Sequence, residues 1–246
     1  MSEPFHFQFF DQFKLAKEAG LIPVRATPEE LEASARQQLE NGQSVVTNLR
    51  QLISLLITDH RPAEAMKHAA QLLAMARDTE SRVDALRMLG QVMEAHGEFE
   101  AAVCFYQEAI ATGPTDLFDH YFCWNNLGYS LVQLGRFEEA EKACRQAIAV
   151  NRNRSNGFKN LGLALQGQER YGEAAESFVQ AIQADAADYR PLHLLQQLLI
   201  RRPELMPEFE EKLHRCEAVC RYVARHLEMA RQETMKKAVP LPNKEG

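Results

Sequence analysis

The segment WNNLGYSLVQLGRFEEAEKACRQAIAV, at residues 124–150, decides the fold because related segments occur before and after it in the chain. Each of the three contains a Leu-Gly pair, and an alanine follows the glycine twelve residues later. Gly128 and Gly162 are 34 residues apart, whereas Gly90 and Gly128 are 38 apart, a difference of about one helical turn. Self-similarity at this period predicts stacked units that share one core.

The three copies correspond in residue type at seven positions along the unit. In chain order the matching sets are Leu86, Trp124 and Phe158; Leu89, Leu127 and Leu161; Gly90, Gly128 and Gly162; Met93, Leu131 and Leu165; Ala102, Ala140 and Ala174; Tyr106, Cys144 and Phe178; and Ala109, Ala147 and Ala181. This pattern resembles the tetratricopeptide repeat (TPR). Only the first copy keeps the terminal proline, Pro114, and the third has Glu169 in place of a turn glycine.

The resemblance implies an all-α fold, a right-handed superhelical TPR solenoid of antiparallel helix pairs with N- and C-terminal capping helices. Helix-favouring residues dominate, and alternating strand patterns are missing. The predicted units are N-terminal helices at 1–43, a degenerate TPR-like pair at 44–80, TPR 1 at 83–116, TPR 2 at 121–154, TPR 3 at 155–188, a degenerate TPR with a C-terminal capping helix at 189–238, and a flexible tail at 239–246. Within the first unit, Thr27 is a predicted N-cap and Gly42 the predicted stop of a helix from Pro28 to Asn41.

Composition argues against several classes of function. The net charge of −6 disfavours nucleic acid as a partner, because phosphate binding needs basic surfaces. No apolar run is long enough to span a bilayer, and the N-terminus lacks the features of a signal peptide, so we expect a cytoplasmic protein. No phosphate loop, nucleophile elbow or zinc-helix motif occurs. We therefore predict a protein without enzymatic activity, cofactor or metal.

The resemblance also implies where a ligand binds, because the first helices of successive TPRs line a concave groove. Carried over position by position, it gives as candidate groove residues Arg87, Gln91, Phe122, Asn125, Asn126, Tyr129, Asn156, Lys159, Asn160 and Leu163. The asparagine amides can donate to and accept from an extended backbone, and aromatic residues dominate interface hot spots. The alternative is that Asn126 and Asn160 only recur with the repeat. The predicted partner is a protein or peptide of mixed polarity, whose identity the sequence does not reveal.

Some relatives grip the terminal carboxylates of chaperones at five of these positions. Here they hold Arg87, Gln91, Asn126, Asn156 and Asn160, so amides replace two of the cations that such a clamp uses. Strong carboxylate capture needs charged donors. The resemblance therefore predicts binding of an extended or helical peptide rather than of a chaperone tail.

The additional turn between the first two repeats contains Phe118 and Phe122, which share one side of a helix. They either project as an anchor for a partner, or Phe118 packs against the loop at Gly113. Further along, an apolar stripe with spacings of four and three contains Phe209, Leu213, Cys216, Cys220, Val223, Leu227 and Ala230. It predicts a single capping helix, and the alternative is a homodimer through a coiled coil. At the N-terminus, Phe5, Phe7, Phe9, Phe10 and Phe13 are expected to dock on the solenoid, with a partner or a membrane surface as alternatives.

Overall fold

The computed structural model describes residues 28–42 and 44–238, and these form eleven α-helices without a β-strand. In chain order they are α1 (Pro28–Glu40), α2 (Val45–Thr58), α3 (Pro62–Met75), α4 (Thr79–His96), α5 (Phe99–Thr112), α6 (Leu117–Gln133), α7 (Phe137–Val150), α8 (Ser155–Gly167), α9 (Tyr171–Ala184), α10 (Arg190–Arg201) and α11 (Met206–Ala238). A 3-10 helix, Pro203–Leu205, connects α10 to α11. The predicted N-cap Thr27, the N-terminal phenylalanines and the tail at 239–246 lie outside the described residues.

The predicted first helix is present and ends one residue earlier than expected. Pro28 occupies its first turn, where the missing N–H has no helical partner to lose. Glu29 and Glu30 follow, and their negative charges favour the positive end of the helix dipole. The helix closes with the N–H of Gly42 donating to the carbonyl oxygen of Leu39 at 3.0 Å.

The four helix pairs from α2 to α9 share one turn geometry. The turn residue has a positive φ in each pair: 55° at His60, 82° at Gly97, 72° at Gly135 and 61° at Glu169. The next residue's N–H then donates to the carbonyl oxygen five residues earlier, at 2.8 to 3.0 Å. This bond satisfies a carbonyl at the helix end, as in a Schellman motif. The third repeat therefore turns like the others even though Glu169 replaces the glycine.

The glycines of the Leu-Gly pairs allow the two helices of a repeat to approach closely. A Cβ atom on Gly162 would lie only 2.4 Å from Cε1 of Phe178, and one on Gly128 would lie 2.5 Å from Sγ of Cys144. Phe178 and Cys144 themselves have no exposed surface. The repeated glycine thus leaves space for a larger side chain that the second helix of the same repeat places there.

The stack bends toward the first helices of the pairs. These contact one another directly, α2 with α4, α4 with α6, and α6 with α8. The second helices α3, α5 and α7 instead contact mainly the first helices on either side. Because the first helices are closer together, they form the inner face of the solenoid.

The last helix closes the core and then extends beyond it. Phe209, Leu213, Cys216 and Cys220 are buried against α9 and α10, as predicted for a capping helix. The same stripe continues to Leu227, which is 43% exposed, because no helix of the described residues covers it there.

Candidate peptide-binding face

Each of the inner helices α4, α6 and α8 contributes a half-buried side chain at the same repeat position. These three residues, here called the inner row, are Gln91, Tyr129 and Leu163. They follow one another at intervals of 38 and 34 residues. Tyr129 packs edge-on against Phe99 from α5, with ring centroids 6.2 Å apart. The contact with Phe99 therefore holds Tyr129 in place, while part of each inner-row side chain stays accessible.

The ten predicted groove residues divide into two groups. Gln91, Tyr129, Asn156 and Leu163 are half-buried. The buried group consists of Arg87, Phe122, Asn125, Asn126, Lys159 and Asn160. Their exposures range from 0 to 7%, so little or none of their surface is accessible to a ligand.

The buried amides bond to each other between α6 and α8. The side chain of Asn125 donates to Oδ1 of Asn126 at 2.9 Å. Asn160 in turn donates to Oδ1 of Asn125 at 3.2 Å and to its carbonyl oxygen at 3.4 Å. Contrary to the expectation of amides open to an extended backbone, these three side chains join two repeats in this structure. Their burial agrees with the packing alternative raised for Asn126 and Asn160, and a role of these amides in ligand binding stays a prediction.

Charged residues of the inner face form a chain of ion pairs. Asp84 accepts from Arg50 and from Arg87, each at 2.6 Å, and Arg87 also donates to Asp119 at 2.6 Å. Burial alone would lower the pKa of Arg87, but the adjacent carboxylates of Asp119 and Asp84 hold it above its usual value. Nη1 of Arg87 also donates to Oε1 of Gln91 at 3.2 Å. The Arg87 guanidinium thus makes its hydrogen bonds to groups within the protein.

Glu94, near the end of α4, has a different environment. Its Oε1 accepts from the hydroxyl of Ser130 at 2.7 Å, and no described ion pair includes its carboxyl group. Burial raises the pKa of Glu94 to about 8, although the bond from Ser130 and the charge of Lys159 both oppose the rise. Glu94 is therefore mostly protonated at neutral pH.

The additional turn of α6 presents an aromatic surface with an arginine on it, here called the extra-turn surface: Leu117, Phe118, Phe122 and Arg154. The rings of Phe118 and Phe122 have centroids 4.4 Å apart. Phe118 is 40% exposed and Leu117 is 67% exposed, whereas Phe122 is buried. Of the predicted anchor pair, only Phe118 is therefore open to a partner. Arg154 was missed by the sequence analysis, although it follows His120 by the 34-residue period and so occupies the matching position of the next repeat.

Burial raises the thiol pKa of all four buried cysteines, Cys123, Cys144, Cys216 and Cys220. Burial raises the pKa of Cys123 and of Cys144 to about 12, so both remain thiols and are poor nucleophiles. Residues 28–42 and 44–238 contain no group of three side chains that could hold a metal ion. Within the same ranges, no helix combines the length and the apolar character needed to cross a membrane.

Comparison with known proteins agrees with the fold. TPR_16, TPR_1 and TPR_8, all described as tetratricopeptide repeat, match residues 51–116, 121–154 and 160–188. Human tetratricopeptide repeat protein 7B is 35% identical over 130 residues, 52% of this chain and 14% of that protein. The Hsp70-Hsp90 organising protein of Plasmodium falciparum is 26% identical over 100 residues, 41% of this chain and 38% of that protein. The chain thus spans well under half the length of these curated relatives.

A solved structure, MamA 41-end from Desulfovibrio magneticus RS-1, is similar in fold. It has a TM-score of 0.56 at 16% identity and covers 73% of this chain and 97% of its own. The repeated Leu-Gly positions, the shared turns and the three matching repeat models all lead to one assignment. The chain belongs to the tetratricopeptide-repeat family.

Proposed function

We propose that this chain is a non-enzymatic adaptor that binds a segment of another protein along the inner row. Stacked repeats create extended inner surfaces, and proteins of this architecture use them for binding. Among the similar proteins, one is named for organising Hsp70 and Hsp90. A second is the peroxisomal targeting signal receptor of Kluyveromyces lactis, 30% identical over 104 residues, 42% of this chain and 18% of that protein. These names motivate a protein ligand here.

The observation that supports the proposal is the half-burial of the inner row in three consecutive pairs. A position needed only for packing would be buried in each copy, as the position of Gly90, Gly128 and Gly162 is. The inner row instead keeps accessible surface and varies in chemistry, with Leu163 apolar and Gln91 and Tyr129 able to hydrogen-bond. This mixture suits a segment that carries both apolar and polar side chains.

The ion pairs of the inner face argue against a grip on a chain-terminal carboxylate. Arg87 is neutralised by Asp84 and Asp119, and the other clamp positions carry no charge. Capture of a carboxylate there would require breaking a buried pair, which costs several kcal/mol. We therefore favour an internal segment of the partner.

The test is a binding measurement with selected peptides. A random twelve-residue display library is panned against the protein, and the Kd of the consensus peptide is measured by fluorescence anisotropy. We expect Leu163→Asn and Tyr129→Ala each to weaken binding about tenfold or more, as for hot-spot residues. The matched control, Val219→Asn, alters a 49% exposed residue on α11 and should change the Kd less than about twofold. Equal affinity for all three variants would refute the proposal, provided that thermal melting shows them folded.

A second candidate is self-association through α11. Leu227, in the exposed part of the apolar stripe of this helix, is 43% exposed, and an unpaired apolar stripe can pair with a second copy. Tyr222 and Met229, on another side of the helix, are 63% and 51% exposed. Light scattering of the purified chain measures this directly. A dimer that becomes a monomer after Leu227→Ser would support the second candidate, and a monomeric wild-type chain would exclude it.

A further inference from the structure

Arg154 differs from the other arginines along the inner helices in its partners. Arg50 pairs with Asp84, Arg87 with Asp84 and Asp119, and Arg190 with Asp188. Arg154 has no carboxylate partner in the described part of the chain and contacts aromatic rings instead. Its Cζ lies 4.9 Å from the ring centroid of Phe122, 5.3 Å from that of Tyr121 and 5.6 Å from that of Phe118.

The three rings hold the guanidinium in place by attraction between a cation and aromatic faces. This attraction does not consume hydrogen-bond acceptors of the protein. The five N–H donors of an arginine lie in the guanidinium plane and point away from its edges. The half-buried Arg154 therefore presents unused donors at a defined position, and a planar carboxylate matches their geometry with two parallel hydrogen bonds.

Apolar surface lies directly beside these donors. Phe118, which contacts the Arg154 guanidinium, is 40% exposed, and its neighbour Leu117 is 67% exposed. Both belong to the turn that lengthens α6 relative to the 34-residue period. The N-cap Asp116, whose side chain accepts from the backbone N–H groups of Phe118 and Asp119, starts the helix early enough to display them. An arginine framed by apolar side chains is typical of an interface hot spot.

We propose that the extra-turn surface binds an acidic side chain of the partner segment, aspartate or glutamate, that is flanked by an apolar residue. The carboxylate pairs with Arg154, and the apolar residue packs on Phe118 and Leu117. This inference rests on the proposed function, because it assigns one end of the segment that the inner row receives. It differs from a terminal clamp, since the recognised group is a side chain and Arg154 lies outside the clamp positions.

The test uses matched synthetic peptides. Acetylated and amidated octapeptides carry Leu-Asp, Leu-Asn or Ser-Asp at their centre in one constant background. Their Kd values are measured by fluorescence anisotropy at low and high salt. We expect the Leu-Asp peptide to bind about tenfold more tightly than either of the others, because charge-assisted hydrogen bonds are stronger than neutral ones and salt screens only the former. The Nε–Hε NMR signal of Arg154 should shift only with the aspartate peptides.

Two variants separate a site from general attraction to positive charge. Arg154→Gln should abolish the preference of the protein for Leu-Asp over Leu-Asn. Arg152→Gln changes an exposed arginine of the same loop, removes the same charge and should keep the preference within about twofold. Phe118→Ser should abolish the preference for Leu-Asp over Ser-Asp.

The outcomes also separate this inference from the proposed function. Peptide binding that is weakened by Leu163→Asn but shows no preference for aspartate would overturn the inference and leave the inner-row proposal intact. An equal loss of preference in Arg152→Gln and Arg154→Gln would overturn the inference as well, because the effect would then be diffuse. A dimer that dissociates in Arg154→Gln would also overturn it, since a second copy would then occupy the surface. Aspartate binding that is insensitive to Leu163→Asn would overturn the inner-row proposal.

Discussion

Replacing Glu94 with glutamine should stabilise the protein at alkaline pH and leave it almost unchanged in acid. In the folded chain the Glu94 carboxyl accepts a hydrogen bond from Ser130 and lies between α4 and α6 without a cation paired to it. Glutamine has the same shape as protonated glutamate, and its carbonyl oxygen can accept the same bond. The substitution therefore removes only the cost of ionising this group.

The sign follows from the direction of the pKa shift. Burial raises the pKa of Glu94 from 4.5 to about 8, so the folded state holds its proton more tightly than the unfolded state does. The stability that this proton contributes is complete below pH 4.5 and is lost as the pH rises toward 8. One pKa unit corresponds to about 1.4 kcal/mol, which places the upper limit near 5 kcal/mol. Because the side chain is only half-buried and water screens it, we expect about 2 kcal/mol.

The assay is urea unfolding of wild type and Glu94→Gln at pH 5, 7 and 9. The variant should match wild type at pH 5 and exceed its free energy of unfolding by about 2 kcal/mol at pH 9. The control is Glu139→Gln, because Glu139 is exposed and its pKa is lowered by hydrogen bonding to Arg136. That variant should gain no stability as the pH rises. A difference between wild type and Glu94→Gln that stays constant across the three pH values would refute the reasoning.

Three further outcomes can be measured by thermal and urea unfolding at pH 7. Glu169→Gly should stabilise the protein by about 1 kcal/mol, because glycine adopts the positive φ of this turn without strain. Gly162→Ala should cost about 2 kcal/mol through the clash of its Cβ with a buried ring, whereas Gly172→Ala, where no atom lies within 4 Å of the added Cβ, should cost nothing. Asp119→Asn should cost about 3 kcal/mol by leaving Arg87 buried with one carboxylate fewer.

The fold could be predicted from the sequence because the residues that determine it lie close together in the chain and recur in each repeat. The interval between glycines specifies one helix pair, and the residues on either side of each turn specify its direction. Glu169 shows how strong this determination is. The third turn keeps the geometry of the glycine turns even though a glutamate must adopt a left-handed backbone there, at a cost of about 1–2 kcal/mol. Packing of α8 on α9 evidently outweighs that cost.

The burial of the predicted groove residues could not be predicted in the same way. Repeat position fixes the helix face on which Asn125 and Asn160 lie, but their burial depends on how closely α6 approaches α8. One contact between the two helices is a hydrogen bond in which the backbone N–H of Gly157 donates to the hydroxyl of Tyr121 at 3.0 Å. A Cβ at Gly157 would lie 3.0 Å from Ile148 and 3.4 Å from this hydroxyl. The two helices are therefore held close enough for the short amides to reach each other.

The extra-turn surface illustrates a different limit. The 38-residue interval predicted an added turn and its phenylalanines, yet it contained no information on what would lie across from them. Arg154 belongs to the next repeat and reaches the rings through the packing of α8 on α6. A residue's contact across repeats is a property of two units together, so it cannot be derived from either unit alone.

These cross-repeat contacts also determine how a ligand would bind. The ion pairs tie α2, α4 and α6 together, and the amides tie α6 to α8, so most polar groups of the inner face are already satisfied. A ligand that competed for them would have to break bonds within the protein, whereas a ligand that contacts Leu163 and Arg154 would break none of these ion pairs or amide bonds. Binding to such a preformed surface has a small ordering cost. We therefore infer that selectivity for a ligand resides in the few half-buried side chains that packing leaves accessible. The buried polar residues, which the repeat pattern indicates first, contribute less to that selectivity.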